Sequence, residues 1–480
     1  MRQRKRRYLE SARMSAACWV LGMIVLFTSP HRAEGEEPAK GFQAGAAVAI
    51  ITPPNGIPMA GYYSPRGSEG VLDDLFAKAL VLDDGEKAAA FVACDLISIP
   101  QTITDEARRR VAAEVPIPPE AVLISATHTH TGPSLPRGSK RDALDGGASD
   151  IASTYAAELP AKIAEAVVAA YRGRTPASTF VARYEEHDIS YNRRFWMSDG
   201  TVGWNPGKLN PKIIRPVGPI DPELLVLYVE TADRRPAAAY VNFALHADTT
   251  GGTLVSADYS GALARRLAEN KGADFVTLFG NGACGDINHI DVRSPVAQKG
   301  PAEAGRIGTV LAGDVFKALM RMRPTSKGPL QTASRIVPLP LAPITDEDVK
   351  RAREITSQGD KAPFLDKVFA YKVLDIAARN GEPLAAEVQV ITLGDDLAWV
   401  ALPGEVFVTL GLNIKAASPF RHTFVVELAN GSLGYIPHRS AYAEGQYEAI
   451  SARCAEGSGE LLVAQVVEML KELYGKAATP

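Results

Sequence analysis

Cysteine is scarce in this 480-residue chain: Cys18 lies in an N-terminal apolar run, and only Cys94, Cys284 and Cys454 follow it. That odd remainder allows one bridge at most, which excludes a disulfide scaffold. Without a C-x-x-C pair, any metal has to be held by His, carboxylate or Tyr oxygen. A charge excess is lacking too, with 52 Lys+Arg against 55 Asp+Glu and a formal net charge of -3, so no bulk field favours nucleic acid as a partner. Repeats and low-complexity blocks are missing, and Pro and Gly are dispersed as loop punctuation. The apolar run at residues 16–27 falls short of the roughly 20 residues that a membrane span takes.

What precedes and follows that run is informative. Arg2, Arg4, Lys5, Arg6, Arg7 and Arg13 come before it, and the small residues Ala33 and Gly35 come after. Basic, apolar, then small is the order of a signal peptide. It predicts a leader over residues 1–35 and a secreted or periplasmic domain over 36–480, with an uncleaved membrane anchor as the alternative. Within that domain, short apolar runs at 46–51, 79–82, 88–93 and 122–125 alternate with helical patterns at 103–113 and 156–170. The style continues with strand-like 224–229, 237–243 and 275–279 around a helical 259–269. Alternation of this kind predicts an α/β fold, a mixed β-sheet core flanked by helices. A charged, helix-favouring stretch at 346–379 is expected on the outside, and a final helix at 460–474.

Ligands of open α/β sheets collect beyond the carboxyl ends of strands. Three such ends carry chemistry. Ser125-Ala126-Thr127-His128-Thr129-His130 follows an apolar strand, and the i, i+2 spacing lets His128 and His130 look into one crevice, one as ligand and one as proton handler. His246 ends the strand-like Val241-Asn242-Phe243-Ala244-Leu245, and Glu405 is displayed on the turn Leu402-Pro403-Gly404. Taken singly, each has a plain structural explanation as a core histidine or a solvated turn carboxylate. Together, two imidazoles and a carboxylate match the set that holds zinc with a vacant position for water.

These segments resemble the neutral, non-lysosomal ceramidase family. The resemblance rests on Gly61-Tyr62, Cys94-Asp95-Leu96, Thr127-His128-Thr129-His130-Thr131-Gly132-Pro133, Asn192-Arg193, Phe243-Ala244-Leu245-His246, Gly285-Asp286, Pro403-Gly404-Glu405, Gly434-Tyr435 and Gln446-Tyr447-Glu448, in family order over residues 41–465. It implies Zn2+ held by His128, His246, Glu405 and Tyr435, with His130, Arg193 and Tyr447 around the reacting carbonyl. Tyr435 is chosen over Tyr442 because its twelve-residue step to Tyr447 agrees with the family's paired tyrosines. The implied activity is zinc-dependent hydrolysis of the N-acyl bond of ceramide or a related N-acyl lipid by zinc-activated water, with peripheral membrane contact for a lipid substrate. Where the family carries a serine regarded as catalytic, this chain has Asn288. An amide is no nucleophile, so Asn288 is expected to orient water or bind substrate. The immunoglobulin-like domain that usually follows in the family has no expected counterpart before residue 480. Two other readings stay open: a zinc hydrolase of another N-acyl amide or ester, and a non-catalytic zinc-organised binding protein. Nothing in the sequence fixes the oligomeric state.

Overall fold

The computed structural model describes residues 41–477, all within one compact unit. The signal-peptide reading falls on residues 1–35, outside the described residues. Ala88–Cys94 and Val122–Ala126 are buried at every position, as strands covered on both faces must be. They pair in parallel, and Ala88–Cys94 pairs antiparallel with Phe76–Asp83, which pairs antiparallel with Gln43–Ile50. A second set comprises Thr175–Glu185, Glu223–Thr231, Pro236–Phe243 and Val276–Asn281, paired antiparallel, antiparallel and then parallel. Only Gln43 and Ala44, opposite Pro176 and Thr175, join the two sets of four into one mixed sheet, to which Arg323–Pro324 adds a ninth strand beside Thr175–Glu185.

That narrow joint lets the sheet close on itself, so that Val276–Asn281 touches Phe76–Asp83, Ala88–Cys94 and Val122–Ala126 across the interior. Strand alternation then sorts the side chains. Ala238 and Tyr240 face inward with Phe91 and Trp399, whereas Ala239 and Val241 face outward onto Tyr259 and Leu263. Helices Gln101–Glu114 and Asp150–Arg172 cover the first half, and Asp258–Lys271 and Pro301–Leu319 cover the second. A further four-stranded sheet, Leu330–Leu339, Leu384–Leu393, Leu397–Ala401 and His422–Val426, closes the core by stacking Trp399 on Phe424 at 4.8 Å, beside Phe91. The mixed-sheet α/β expectation holds. Cys94, Cys284 and Cys454 are all free and buried.

One expectation is corrected. The 346–379 stretch is helical, as Asp346–Ser357 behind a Thr345/Asp348 capping box and Phe364–Ala378, but its second helix does not simply lie outside. Phe364–Ala378 packs on Gln446–Ser451, with the Phe364 ring 5.4 Å from Tyr447 and 5.7 Å from Trp204. Its apolar residues need an apolar partner, and Trp204 and Tyr447 supply one. No helix among the described residues is long and apolar enough to cross a membrane.

Candidate active site

The loop after Val122–Ala126 turns at His128, whose φ of 71° is a left-handed value that a non-glycine residue seldom takes. The turn is anchored by His128 N donating to the Leu96 carbonyl (2.9 Å) and His130 N donating to the Ala247 carbonyl (3.1 Å), which ties the first histidine loop to the second. Glu405 enters from a third direction. It lies opposite Tyr435 in a short parallel pair, Glu405–Val406 with Tyr435–Ile436, which sets a carboxylate beside a phenol.

At the centre, Nε2 of His128 and Nε2 of His246 are 3.0 Å apart, and Glu405 Oε2 lies 3.5 Å and 3.9 Å from them. The far side of the His128 ring fixes its tautomer: Nδ1 donates to the Ile97 carbonyl at 2.8 Å, which leaves an Nε2 lone pair facing the centre. His246 Nδ1 faces Cys284, whose backbone it hydrogen-bonds. Glu405 Oε2 is buried without a hydrogen-bond partner. Acceptors facing one another in a dry space repel unless a cation stands between them, so the donor set fits a divalent metal. His130 joins the cluster, with Nε2 3.4 Å from His128 Nε2, and the ligand-capable atoms of His128, His130 and His246 lie within 4.8 Å of one another. Geometry therefore admits His130 among the candidate ligands as well as in its expected proton-handling place.

Electrostatics follow from this crowding. Burial works against ionising Glu405, but His128, Tyr435 and Arg193 together hold its carboxyl down to about 2. Burial likewise opposes a charge on His128, and Glu405 outweighs it, raising that imidazole. His130 and His246 are pushed well below the usual histidine range, first by burial and then by His128, so both stay neutral. Glu427, buried behind the site, is pushed up to about 8 by burial. It accepts from Cys284 N (3.2 Å), Cys284 Sγ (2.9 Å) and Val406 N (2.8 Å), and so braces both the His246 contact and the Glu405 turn.

The remaining expected residues divide. Tyr435 is buried beside Glu405, whereas Tyr442 spends its hydroxyl on the Cys454 carbonyl at 3.0 Å, so the geometry favours the same tyrosine as the motif did. Tyr447 stands on the crevice wall, its ring 5.3 Å from that of Tyr435. Arg193 is not surface charge. It is 4 % exposed and donates to Glu448 Oε1 (2.7 Å), the Gly285 carbonyl (2.6 Å) and the Tyr435 hydroxyl (3.1 Å), so it stands behind Tyr435 instead of facing the crevice. Asn288 departs further from its expected place. Its Nδ2 donates to Asn205 Oδ1 at 2.8 Å, its Oδ1 accepts from Ile290 N at 3.0 Å, and it is not among the residues lining the crevice.

Asp248 escaped the sequence reading, and Gly61 entered it only as a motif residue without a role. Asp248 Oδ1 lies 3.7 Å from His130 Nδ1 and accepts a 2.5 Å hydrogen bond from the Tyr62 hydroxyl. Its position two residues after His246 was the available signal. Gly61, at φ 110°, passes so close that a Cβ there would lie 2.8 Å from His130 Nδ1. A crevice of about 450 Å³ opens above His128, His130 and Glu405.

No curated protein matches the chain significantly. Among solved structures, the fold is similar to a neutral ceramidase from Pseudomonas aeruginosa, with a TM-score of 0.71 and 20% identity over 91% of this chain and 75% of that one. It is also similar to a ceramidase complexed with C2, with a TM-score of 0.71 and 19% identity over 91% and 76% of the two chains. The family model for the N-terminal part of neutral/alkaline non-lysosomal ceramidases matches residues 42–298, more than half of the sequence, and the chain therefore belongs to that family of amide-bond hydrolases.

Proposed function

We propose that this chain hydrolyses the N-acyl bond of ceramide or a related N-acyl lipid, using a zinc ion held by His128, His246, Glu405 and Tyr435. The observation that carries the reading is the buried meeting of two Nε2 atoms 3.0 Å apart with the unpartnered Glu405 Oε2. When bound there, zinc would polarise the amide oxygen as a Lewis acid and lower the pKa of water toward ~7. The chain's own groups do the rest. Arg193, donating to the Tyr435 hydroxyl, favours negative charge on that oxygen and so prepares it as a ligand. His130, kept neutral and lining the crevice, takes a proton from the attacking water and returns it to the leaving amine. Asp248 lies 3.7 Å from the far nitrogen of His130, which makes no hydrogen bond among the described residues. The Tyr447 hydroxyl donates to the carbonyl oxygen as it becomes tetrahedral. Asn288 is given no chemical step, because its amide is already committed to Asn205 and the backbone. Export of the chain, supported by the basic and apolar order of residues 2–27, and contact with a membrane surface, which a lipid substrate implies, belong to the same proposal. Release of fatty acid from short-chain ceramide by the zinc-loaded protein, abolished by chelation and restored by zinc, is the expected result. A zinc-loaded protein that cleaves no N-acyl amide would overturn the reading.

A further inference from the structure

The crevice above the histidines is poorly suited to a neutral hydrocarbon. Arg137, Lys140, Arg141, Arg379 and Arg453 all line it, together with His128 and Glu405. Its aliphatic lining is sparse, limited to Ile97, Ala378, Leu384 and Leu433. A larger apolar groove of about 720 Å³, around Phe195, Ile213 and Ile290, shares no lining residue with the crevice and so does not extend it for a long chain. Laying alkyl carbons along the cationic wall would strip water from charges and return nothing.

Several of these cations keep donors unspent. Arg137 is engaged by Asp142 and Asp145, and Arg453 by Asp375. Lys140, exposed at the rim, forms no ion pair among the described residues. Arg379 spends Nε and Nη2 on the Glu382 and Pro383 carbonyls at 3.2 and 3.1 Å, with no carboxylate partner for its charge among the described residues. Arg141 stacks its guanidinium 3.8 Å over the Tyr63 ring, donates from Nη2 to the Tyr62 carbonyl and pairs through Nε with the Asp145 carboxylate at 3.6 Å, too long for a hydrogen bond. Of the two carboxylates on that wall, Asp375 is already paired and only the exposed Glu382 remains to offset Lys140 and Arg379. Forked guanidinium donors with a free ammonium beside them are suited to an oxyanion.

We propose that the substrate carries an anionic group, a carboxylate, sulfonate or phosphate, held by Lys140, Arg141 and Arg379 across the crevice from the amide. An N-acyl amino acid has that chemistry and ceramide does not. The inference rests on the reading that the crevice holds the scissile amide, with the edge-to-face Tyr63 and Tyr447 rings, 6.5 Å apart, as the aromatic corner for the acyl part.

Calorimetric titration of the full-length protein with N-octanoylglycine and N-octanoyltaurine, against N-octanoylethanolamine of the same chain length, tests it. At least one anionic probe is expected to bind about tenfold tighter or more. The Lys140→Glu/Arg379→Glu double variant is expected to lose that preference, while the remote exposed pair Lys212→Glu/Arg235→Glu keeps it. Equal affinity for charged and neutral probes would overturn the proposal, as would a preference that survives reversal at Lys140 and Arg379. Turnover of the same probes separates the two readings. Charge-selective binding without cleavage of either amide sinks the hydrolase reading alone, and cleavage without charge preference sinks this inference alone.

Discussion

Gly61→Ala tests whether the position of His130 sets the rate. The new Cβ would lie 2.8 Å from Nδ1 and 2.9 Å from Cβ of His130, against ordinary contacts of 3.4 Å or more, so the ring must give by about half an ångström. A φ of 110° adds backbone strain of about 1–3 kcal/mol for any residue with a Cβ. Misplacing a reacting group by ~1 Å costs on the order of 100-fold in rate. For half that shift, kcat is expected to fall about tenfold. Gly56→Ala is the control, because it carries φ 84° with nothing within 4 Å of its Cβ and so imposes strain without contact. Steady-state kinetics, zinc content and thermal melts should show both variants destabilised and both metal-loaded, with only Gly61→Ala slow. Equal kcat in the two variants would refute the reasoning.

Arg193→Lys keeps the charge but cannot span Glu448, the Gly285 carbonyl and the Tyr435 hydroxyl at once, so kcat should fall at least tenfold with KM little changed, as steady-state kinetics would show. Glu427→Ala orphans the buried Cys284 and Val406 amides at about 1–3 kcal/mol each, which urea titration should record as a loss of about 2–6 kcal/mol. In the metal-free protein, the depressed Glu405 contributes stability that is present above its ordinary pKa near ~4.3 and lost as pH falls through about 2. The raised His128 contributes stability that is full below its ordinary value near ~6.5 and lost as pH rises through its folded one. The urea-midpoint difference between wild type and Glu405→Gln should therefore peak between about pH 4.5 and 6.5, and a flat difference would contradict the pairing.

Much of this was legible because buried strands announce themselves. The run expected at 122–125 is the strand Val122–Ala126, and 237–243 lies within Pro236–Phe243, so both histidine loops could be placed at strand ends. The carboxylate turn was equally readable, since Ala398, Trp399, Val400 and Ala401 sit in Leu397–Ala401, directly before it. Long-range packing was not readable. No local pattern says that a sheet joined through two residue pairs will close on itself and bring strands from its two halves into contact. Arg193 was expected around the reacting carbonyl on motif position, and its burial behind Tyr435 was not readable, because the carboxylate that buries it and Arg194, Glu448, lies more than 250 residues away. The helix Phe364–Ala378 was placed outside on its charge, when Phe364 and the residues facing the crevice decided where it packs. Asn288 carried an expectation from motif position alone, and the Asn205 contact that engages it depends on the 202–204 strand bringing a distant turn alongside.

The most direct measurement is metal content in the purified chain and its site variants. Inductively coupled plasma analysis should find about one zinc per wild-type chain, losses in His128→Ala, His246→Ala and Glu405→Ala, and retention in exposed His187→Ala. Unchanged zinc in all three ligand variants would contradict the account, because the buried acceptors would then have some purpose other than holding a metal.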